Sequence, residues 1–90
     1  MLFLVIEHYR QGDPEPVYRR FRDQGRMAPE GVRYVASWVT EDLARCFQVM
    51  DCDDRQLLAQ WMVKWEDLVD FEVIPVVTSA EAAAKVNGAS

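Results

Sequence analysis

The N-terminal segment of the chain is apolar on both sides of a strand. Residues 2–6 read LFLVI, and the run ends in the polar sequence EHYR at residues 7–10. Large aliphatic and aromatic residues in such a run predict a strand over residues 2–8. Successive side chains of a strand point to opposite faces, so both faces of this strand need cover. Its polar end either emerges into solvent or delivers polar groups to the mouth of a pocket.

A helix and a hairpin are predicted after the first strand. The segment GDPEP predicts a helix start, with Asp13 as N-cap and Pro14 at the first helical position. This helix should continue to about Gly25. The apolar runs VRYVASWV and ARCFQVMD predict two strands joined by the short polar segment TEDL.

The second half of the chain repeats the alternation of helix and strand. Asp53 is the predicted cap of a second helix, whose apolar stripe at helical spacing includes Trp61 and Trp65. The segment VDFEVIPVV predicts the last strand. A capping-box pattern over residues 78–81 predicts a short terminal helix that ends at Asn87 and Gly88.

The predicted order is β-α-β-β-α-β with a short C-terminal helix, which is the order of a ferredoxin-like α+β domain. Residues 1–90 form one such domain in this interpretation. Right-handed crossovers place the first strand between the third and the fourth, with the fourth at an edge. Pro75 agrees with an edge position, because proline cannot donate a hydrogen bond to a neighbouring strand.

One face of the predicted sheet is expected to lack a helical cover. Sorting the strands by alternation assigns Leu2, Leu4 and Ile6 to the helix-covered face, together with small and aliphatic residues of the other strands. The open face receives Phe3, Val5, Glu7, Tyr9, Tyr34, Trp38, Arg45, Phe47, Val49, Glu72, Ile74 and Val76.

Such an aromatic patch is unusual on a monomer. We therefore expect a second copy to cover the open face, which would give a homodimeric α/β barrel. A monomer whose C-terminal helix folds over this face is the alternative. A bulge in any strand would exchange the two faces from that point on.

Composition and charge narrow the classes of function. The net charge of -5 argues against a nucleic-acid partner. The apolar run at the N-terminus has the pattern of neither a signal peptide nor a membrane span, so we predict no membrane association. The two cysteines, Cys46 and Cys52, fit a reducing compartment, and we predict a cytoplasmic protein.

No strong catalytic motif is present, and we predict neither a bound cofactor nor a metal site. The sequence has no glycine-rich phosphate loop and no histidine or cysteine pairs at metal-ligand spacing. The candidate ligand-binding residues are the polar and aromatic members of the expected open face: Glu7, Tyr9, Trp38, Arg45 and Glu72.

These five residues allow two interpretations. A carboxylate in a half-apolar cavity would have a raised pKa and could move protons, Arg45 could hold an anionic oxygen, and Trp38 could form a wall. Alternatively, the charged members form a buried Arg-Glu pair across a dimer interface. His8, the single histidine, is expected on the helix face as a core-edge residue.

The whole chain resembles a small bacterial family of unknown function, domain-of-unknown-function family 3303. The resemblance rests on the segments EHY, GRM-PEG, SWV, RCFQ, WMVKW and PVVTS. The architecture is also similar to the dimeric α/β-barrel superfamily, which includes muconolactone isomerases and cofactor-free monooxygenases. That second resemblance is one of fold alone, and it transfers no catalytic residue to this chain.

Three hypotheses follow. The first is a homodimeric α/β-barrel protein that binds a small, partly apolar, anionic metabolite. The second is a cofactor-free enzyme of the isomerase or monooxygenase type, in which Glu7 or Glu72 moves a proton and Arg45 stabilises negative charge. The third is an interaction module whose interior is a filled core.

Overall fold

The computed structural model describes residues 1–88 as one four-stranded antiparallel sheet with three α-helices. The strands are β1 (Leu2–Tyr9), β2 (Arg33–Val39), β3 (Arg45–Asp51) and β4 (Val69–Val76). The helices are α1 (Glu15–Gln24), α2 (Arg55–Val63) and α3 (Ser79–Asn87), and one 3-10 turn spans Arg10–Gly12. The predicted α+β order is confirmed.

The strand order in the sheet is β2-β3-β1-β4, as predicted for a ferredoxin-like domain. β1 is central, and its Glu7 lies opposite Cys46 on β3 and Phe71 on β4. Pro75 lies on the edge strand β4 opposite Phe3. The edge position explains why a proline is tolerated in this strand.

The helix starts follow the prediction with two corrections. α1 begins at Glu15 with Pro14 as its N-cap residue, one residue later than predicted. The Asp13 carboxylate accepts a hydrogen bond from the Glu15 amide at 3.0 Å. The cap of α2 is Asp54, which accepts from the Gln56 amide at 2.9 Å, and the assignment of this role to Asp53 is wrong. Asp53 lies instead 3.7 Å from the N-terminal amine.

The helix-covered face carries the core, and it reverses the expected orientation of β1. Phe3 and Val5 are fully buried, and they pack with Met50, Leu58 and Trp61. Leu2, Leu4, Ile6 and His8 therefore lie on the open face, contrary to the prediction. The reason is that β1 is apolar on both sides, so its alternation did not distinguish the two faces.

A bulge in β2 produces the second reversal. The pairing of β2 with β3 shifts between Tyr34 and Ala36, so Tyr34 lies in line with Met50 on the helix-covered side. β2 after the bulge, β3 and β4 follow the predicted alternation: Trp38 pairs with Phe47 on the open face, and Val39 pairs with Cys46 on the covered face.

Helix α3 has no buried residue, and its Val86 is 81% exposed. α3 thus follows the capping box at Thr78 as predicted, where the hydroxyl accepts from the Glu81 amide at 3.1 Å, but it buries no apolar face of its own.

Within residues 1–88, no helix has the length and apolarity to cross a bilayer. Cys46 and Cys52 are both buried free thiols.

Candidate functional site

A cavity of about 230 Å³ lies between the helix-covered face of the sheet and the helices α1 and α2. Its walls are mostly aromatic and aliphatic, and its floor is polar. The lining residues are Glu7, Tyr9, Val17, Tyr18, Phe21, Arg26, Ser37, Val39, Cys46, Gln48, Trp61 and Trp65. Concave apolar sites with a few convergent polar groups are typical of small-molecule binding.

A chain of hydrogen bonds connects three polar side chains in the cavity. The Gln48 side-chain amide donates to Glu7 Oε2 at 2.5 Å. The Gln48 carbonyl oxygen accepts from Arg26 Nε at 2.6 Å. Gln48 thus connects the buried carboxyl group to the arginine with both ends of its amide.

Burial controls the ionisation of Glu7. The residue is 7% exposed, and loss of hydration raises the pKa of its carboxyl group from 4.5 to about 7. The hydrogen bond from Gln48 and the positive charge of Arg26 act in the opposite direction and limit the rise. Near neutral pH the carboxyl group is therefore present in both protonation states, as proton transfer requires.

The loop that carries Arg26 is attached to α2 and the turn after it by its backbone carbonyl groups. The indole N-H groups of Trp61 and Trp65 both donate to the Arg26 carbonyl oxygen, at 2.9 and 3.1 Å. Lys64 Nζ donates to the Met27 carbonyl oxygen at 3.1 Å. Met27 itself has a φ of 61°, which a residue with a large side chain adopts only where its surroundings impose it.

The Arg26 guanidinium group is held between aromatic rings. It lies 3.8 Å from the centroid of the Tyr34 ring and 5.1 Å from that of Phe21. The Tyr34 hydroxyl shares a hydrogen bond of 2.8 Å with Ser37, which orients the stacking ring. This arrangement fixes a planar cation at the cavity wall.

The two other titratable groups next to Glu7 stay protonated at neutral pH. Burial raises the pKa of the Cys46 thiol to about 11, so this cysteine is not a thiolate nucleophile. Burial also raises the pKa of the Tyr9 hydroxyl well above its ordinary value. The Tyr9 ring packs edge-on against Tyr18, with 6.4 Å between the centroids. Both groups can therefore serve as hydrogen-bond donors.

The five residues predicted as a ligand-binding set are divided between the two faces of the sheet. Glu7 and Tyr9 line the cavity. Trp38, which is 62% exposed, Arg45 and Glu72 lie on the open face, where Phe47 and Ile6 connect them across the strands. The expectation of one common face is wrong because of the reversed β1, and the predicted roles of the five residues stay predictions.

Arg26 and Gln48 are the two hydrogen-bond partners in the Glu7 chain that the sequence reasoning missed. Arg26 was not among the five candidate residues. Gln48 carried a signal, because it stands between Cys46 and Met50 at alternate positions of β3, all on the covered face. A polar residue in an otherwise apolar alternation indicates a buried polar partner, here Glu7.

The cavity brings together an ionisable carboxyl group, a cation and aromatic surface, which are the groups that small-molecule binding and proton transfer use. Glu7 supplies an ionisable group near neutrality, Arg26 supplies a fixed cation, and aromatic side chains supply apolar walls. Within residues 1–88, no group of three or more histidine, cysteine, aspartate or glutamate side chains is arranged to hold a metal ion.

Comparisons with known proteins place the chain in a family without transferring an activity. A search of the curated proteins gave no match. A search of the solved structures gave no match either. The family model described as Domain of unknown function (DUF3303) matches residues 1–90. The chain belongs to this family.

Proposed function

We propose that this protein binds a small, partly apolar molecule in the cavity between the sheet and the helices α1 and α2. The observation that carries the proposal is the hydrogen-bonded chain from Glu7 through Gln48 to Arg26. A buried carboxyl group costs stability relative to an apolar side chain of similar size. The adjacent cavity with apolar walls offers a reason for this cost, because a ligand bound there would contact Glu7 and Arg26.

The dimensions of the cavity support a small ligand. About 230 Å³ is below the range of roughly 300–1,000 Å³ found for drug-sized ligands. A single ring with one or two substituents is the class of molecule that this volume favours. A filled interior would instead have favoured the third hypothesis, an interaction module without a ligand.

The three tryptophans provide the test of this proposal. Trp61 and Trp65 line the cavity, whereas Trp38 lies on the opposite face of the sheet. We would screen small aromatic and aliphatic fragments by two-dimensional NMR of the ¹⁵N-labelled protein and follow the indole resonances. Fragments in the cavity should shift the signals of Trp61 and Trp65 and leave that of Trp38 in place.

A cavity-filling variant distinguishes this site from the surface. Val39→Phe places a larger side chain in the cavity, and Val35→Phe on the same strand is the matched control, because Val35 is exposed and does not line the cavity. Val39→Phe should abolish the shifts and Val35→Phe should keep them. A screen without binders, or shifts confined to Trp38, would contradict the proposal.

We also propose that the protein is a homodimer that packs its open sheet faces together. Open-face side chains with large exposed or half-exposed apolar surface support this assembly: Leu4, Trp38, Phe47, Val49, Ile74 and Val76. α3 buries no residue of its own in a single chain, which argues against the monomer in which this helix covers the sheet. A cytoplasmic location stays a prediction.

The charges of the open face favour a second copy as the partner. Arg45 lies on β3, toward one edge of the sheet, and Asp70 and Glu72 lie on the opposite edge strand, β4. A face with opposite charges on opposite sides is complementary to itself under a two-fold rotation. The surface therefore fits a symmetric pair.

Sedimentation velocity tests the dimer with a matched pair of variants. Trp38→Glu places a charge on the open face, and Val63→Glu places one on α2, where Val63 has nearly the same exposure, 60%. The wild type and Val63→Glu should sediment as dimers and Trp38→Glu as a monomer. A monomeric wild type would contradict the proposal.

A proton-transfer enzyme is the second candidate, and the observation that favours it is the ionisation of Glu7 near neutrality. The carboxylate would remove a proton from a carbon next to a carbonyl group. The electron pair of that C-H bond would form a C=C bond, and the π pair of the carbonyl group would move to its oxygen to give an enolate. The protonated Glu7 would then return the proton. Tyr9, which stays protonated, would donate to the enolate oxygen.

Hydrogen exchange in D₂O tests this second candidate. Carbonyl fragments that bind the cavity should exchange the hydrogen on the adjacent carbon, as followed by NMR. Glu7→Gln should abolish this exchange, and Glu72→Gln, on the other face, should leave it unchanged. Exchange that survives Glu7→Gln would assign the chemistry to another group.

A further inference from the structure

Among residues 1–88, no carboxylate lies within ion-pair distance of the Arg26 guanidinium group. Several other arginines are paired, for example Arg20 with Asp67 and Arg33 with Asp51, whereas the exposed Arg45 and Arg55 form no ion pair within residues 1–88. A half-buried guanidinium group in a cavity wall is only partly hydrated. An anion bound in the cavity would supply the negative charge that no carboxylate of residues 1–88 supplies.

The position of the guanidinium group leaves its fork available. The hydrogen bond to Gln48 uses the Nε-H, so the N-H donors on the two terminal nitrogens are not committed to it. Stacking at 3.8 Å on the Tyr34 ring fixes the plane of the group. A guanidinium group in a fixed plane is matched to the two oxygens of a carboxylate.

The walls beside Arg26 select the rest of the ligand. Tyr18, Phe21, Trp61 and Trp65 supply aromatic surface to the same cavity. A planar ring gains stacking or edge contacts with such walls and loses little conformational entropy on binding. The volume of about 230 Å³ limits the ligand to one ring with short substituents.

We propose that the cavity takes a small aromatic carboxylate, which places its carboxylate on the Arg26 guanidinium group, and that binding holds Glu7 in its protonated form, so that any Glu7 ionised beforehand takes up a proton from solvent. This inference rests on the proposed binding function and specifies its ligand class. The proton transfer follows from the hydrogen-bonded chain: Gln48 joins Glu7 to Arg26, so a bound anion and an ionised Glu7 would share one cation.

The surroundings of Glu7 show why this residue takes the proton. The titratable or charged groups that face it are Tyr9 on β1, Cys46 on β3, Tyr18 on α1 and Arg26 on the loop after α1. Phe71 on β4 and Trp61 on α2 are not titratable. Tyr9 and Cys46 are protonated at neutral pH, and the pKa of Glu7, near 7, leaves it free to change state.

Isothermal titration calorimetry tests both parts of the inference. The probes are benzoate and phenylacetate, with benzamide and phenylacetamide as neutral counterparts of the same shape. Each titration is made at pH 7 in two buffers of different ionisation enthalpy, so that the difference in heat counts the protons taken up. We expect the acids to bind at least tenfold more tightly than the amides and to take up about half a proton.

Variants assign the two roles to their residues. Arg26→Gln should remove the preference for acids, and Arg45→Gln is the matched control, because Arg45 also stacks on a ring but lies on the open face. Glu7→Gln should retain binding of the acids and remove the proton uptake. Arg26→Lys serves if Arg26→Gln is unfolded, and it should reduce the preference because it loses the planar fork.

The outcomes separate this inference from the function on which it rests. Fragments that shift the indole signals of Trp61 and Trp65 while the acids bind no better than the amides would overturn the inference and leave the binding function intact. Acid binding without proton uptake would also overturn it, as would equal losses in Arg26→Gln and Arg45→Gln. Failure of all fragments to bind would contradict both.

Discussion

The side-chain amide of Gln48 donates a hydrogen bond of 2.5 Å to the buried carboxyl group of Glu7. The two residues lie on neighbouring strands, β3 and β1, and are offset diagonally, because Glu7 pairs with Cys46 and Gln48 pairs with Val5. Both are among the buried polar residues of the chain. Their contact gives the core a titratable group, and stability should therefore depend on pH.

The first prediction concerns the pH dependence of unfolding. Glu7 has its pKa raised from 4.5 to about 7 by folding, so the native state binds more protons than the unfolded state between these values. The free energy of unfolding should fall as the pH rises through this range, by about 3 kcal/mol in total at 1.36 kcal/mol per pKa unit. Glu7→Gln should lose this dependence.

Urea unfolding at several values between pH 5 and pH 8 measures the effect. Glu72→Gln is the control, because Glu72 is an exposed glutamate on the same sheet, and it should keep the wild-type slope. The other ionisable residues are the same in all three proteins. Parallel curves for the wild type and Glu7→Gln would show that Glu7 is not the titrating group.

The second prediction concerns the energetic coupling of Glu7 and Gln48. Gln48→Leu leaves the buried carboxyl group without its hydrogen-bond donor and should destabilise the protein by about 1–3 kcal/mol. The loss should be larger at pH 8, where Glu7 is ionised, than at pH 5. The double variant Glu7→Leu/Gln48→Leu replaces both partners by apolar groups and should recover most of the loss, as a double-mutant cycle would show. Additive losses would contradict the coupling.

The third prediction concerns the turn at Gly25. This residue has φ 70° and ψ -163°, a backbone conformation that is essentially restricted to glycine. A Cβ at this position would meet no atom within 4 Å, so the cost of Gly25→Ala is conformational and should be about 1–3 kcal/mol. Thermal unfolding measures it, with the neighbouring exposed substitution Gln24→Ala as a control that should have little effect. Equal stability of the two variants would contradict the assigned strain.

The fourth prediction concerns the attachment of α1 to the turn before β4. Arg20 donates two hydrogen bonds of 2.7 Å to the Asp67 carboxylate and one of 2.9 Å to the Lys64 carbonyl oxygen. Asp67→Asn should cost about 1 kcal/mol, the upper end for an exposed pair, because the geometry is bidentate. Asp23→Asn, which alters the exposed pair with Arg22, should cost close to nothing in the same denaturation experiment. Equal costs would contradict the distinction.

Much of the fold could be predicted because its signals are local. The run over residues 2–8, the TEDL hairpin and the capping box at Thr78 each depend on neighbours in the chain. The strand order followed from the handedness of the crossovers, and the structure confirms it. The cap of α2 was placed one residue too early, since Asp53 and Asp54 offer the same side chain and the choice depends on which one reaches the Gln56 amide.

The candidate site could be predicted only in part. Glu7 and Tyr9 were recognised as polar groups at the end of a buried strand, and both line the cavity. Trp38, Arg45 and Glu72 were joined to them because the alternation of β1 was assigned to the wrong face. Arg26 was missed because its loop has no periodic pattern, and its position depends on hydrogen bonds from Trp61 and Trp65.

The sequence by itself determined the elements, their order and the presence of two apolar faces on β1, since alternation, capping and turn chemistry act over a few residues. Only the tertiary structure decided which face of β1 meets the helices, because a strand that is apolar on both sides packs equally well in either orientation until its neighbours set the register. In this protein Gln48 on β3 and Arg26 on the loop after α1 supply the partners that place Glu7 inside.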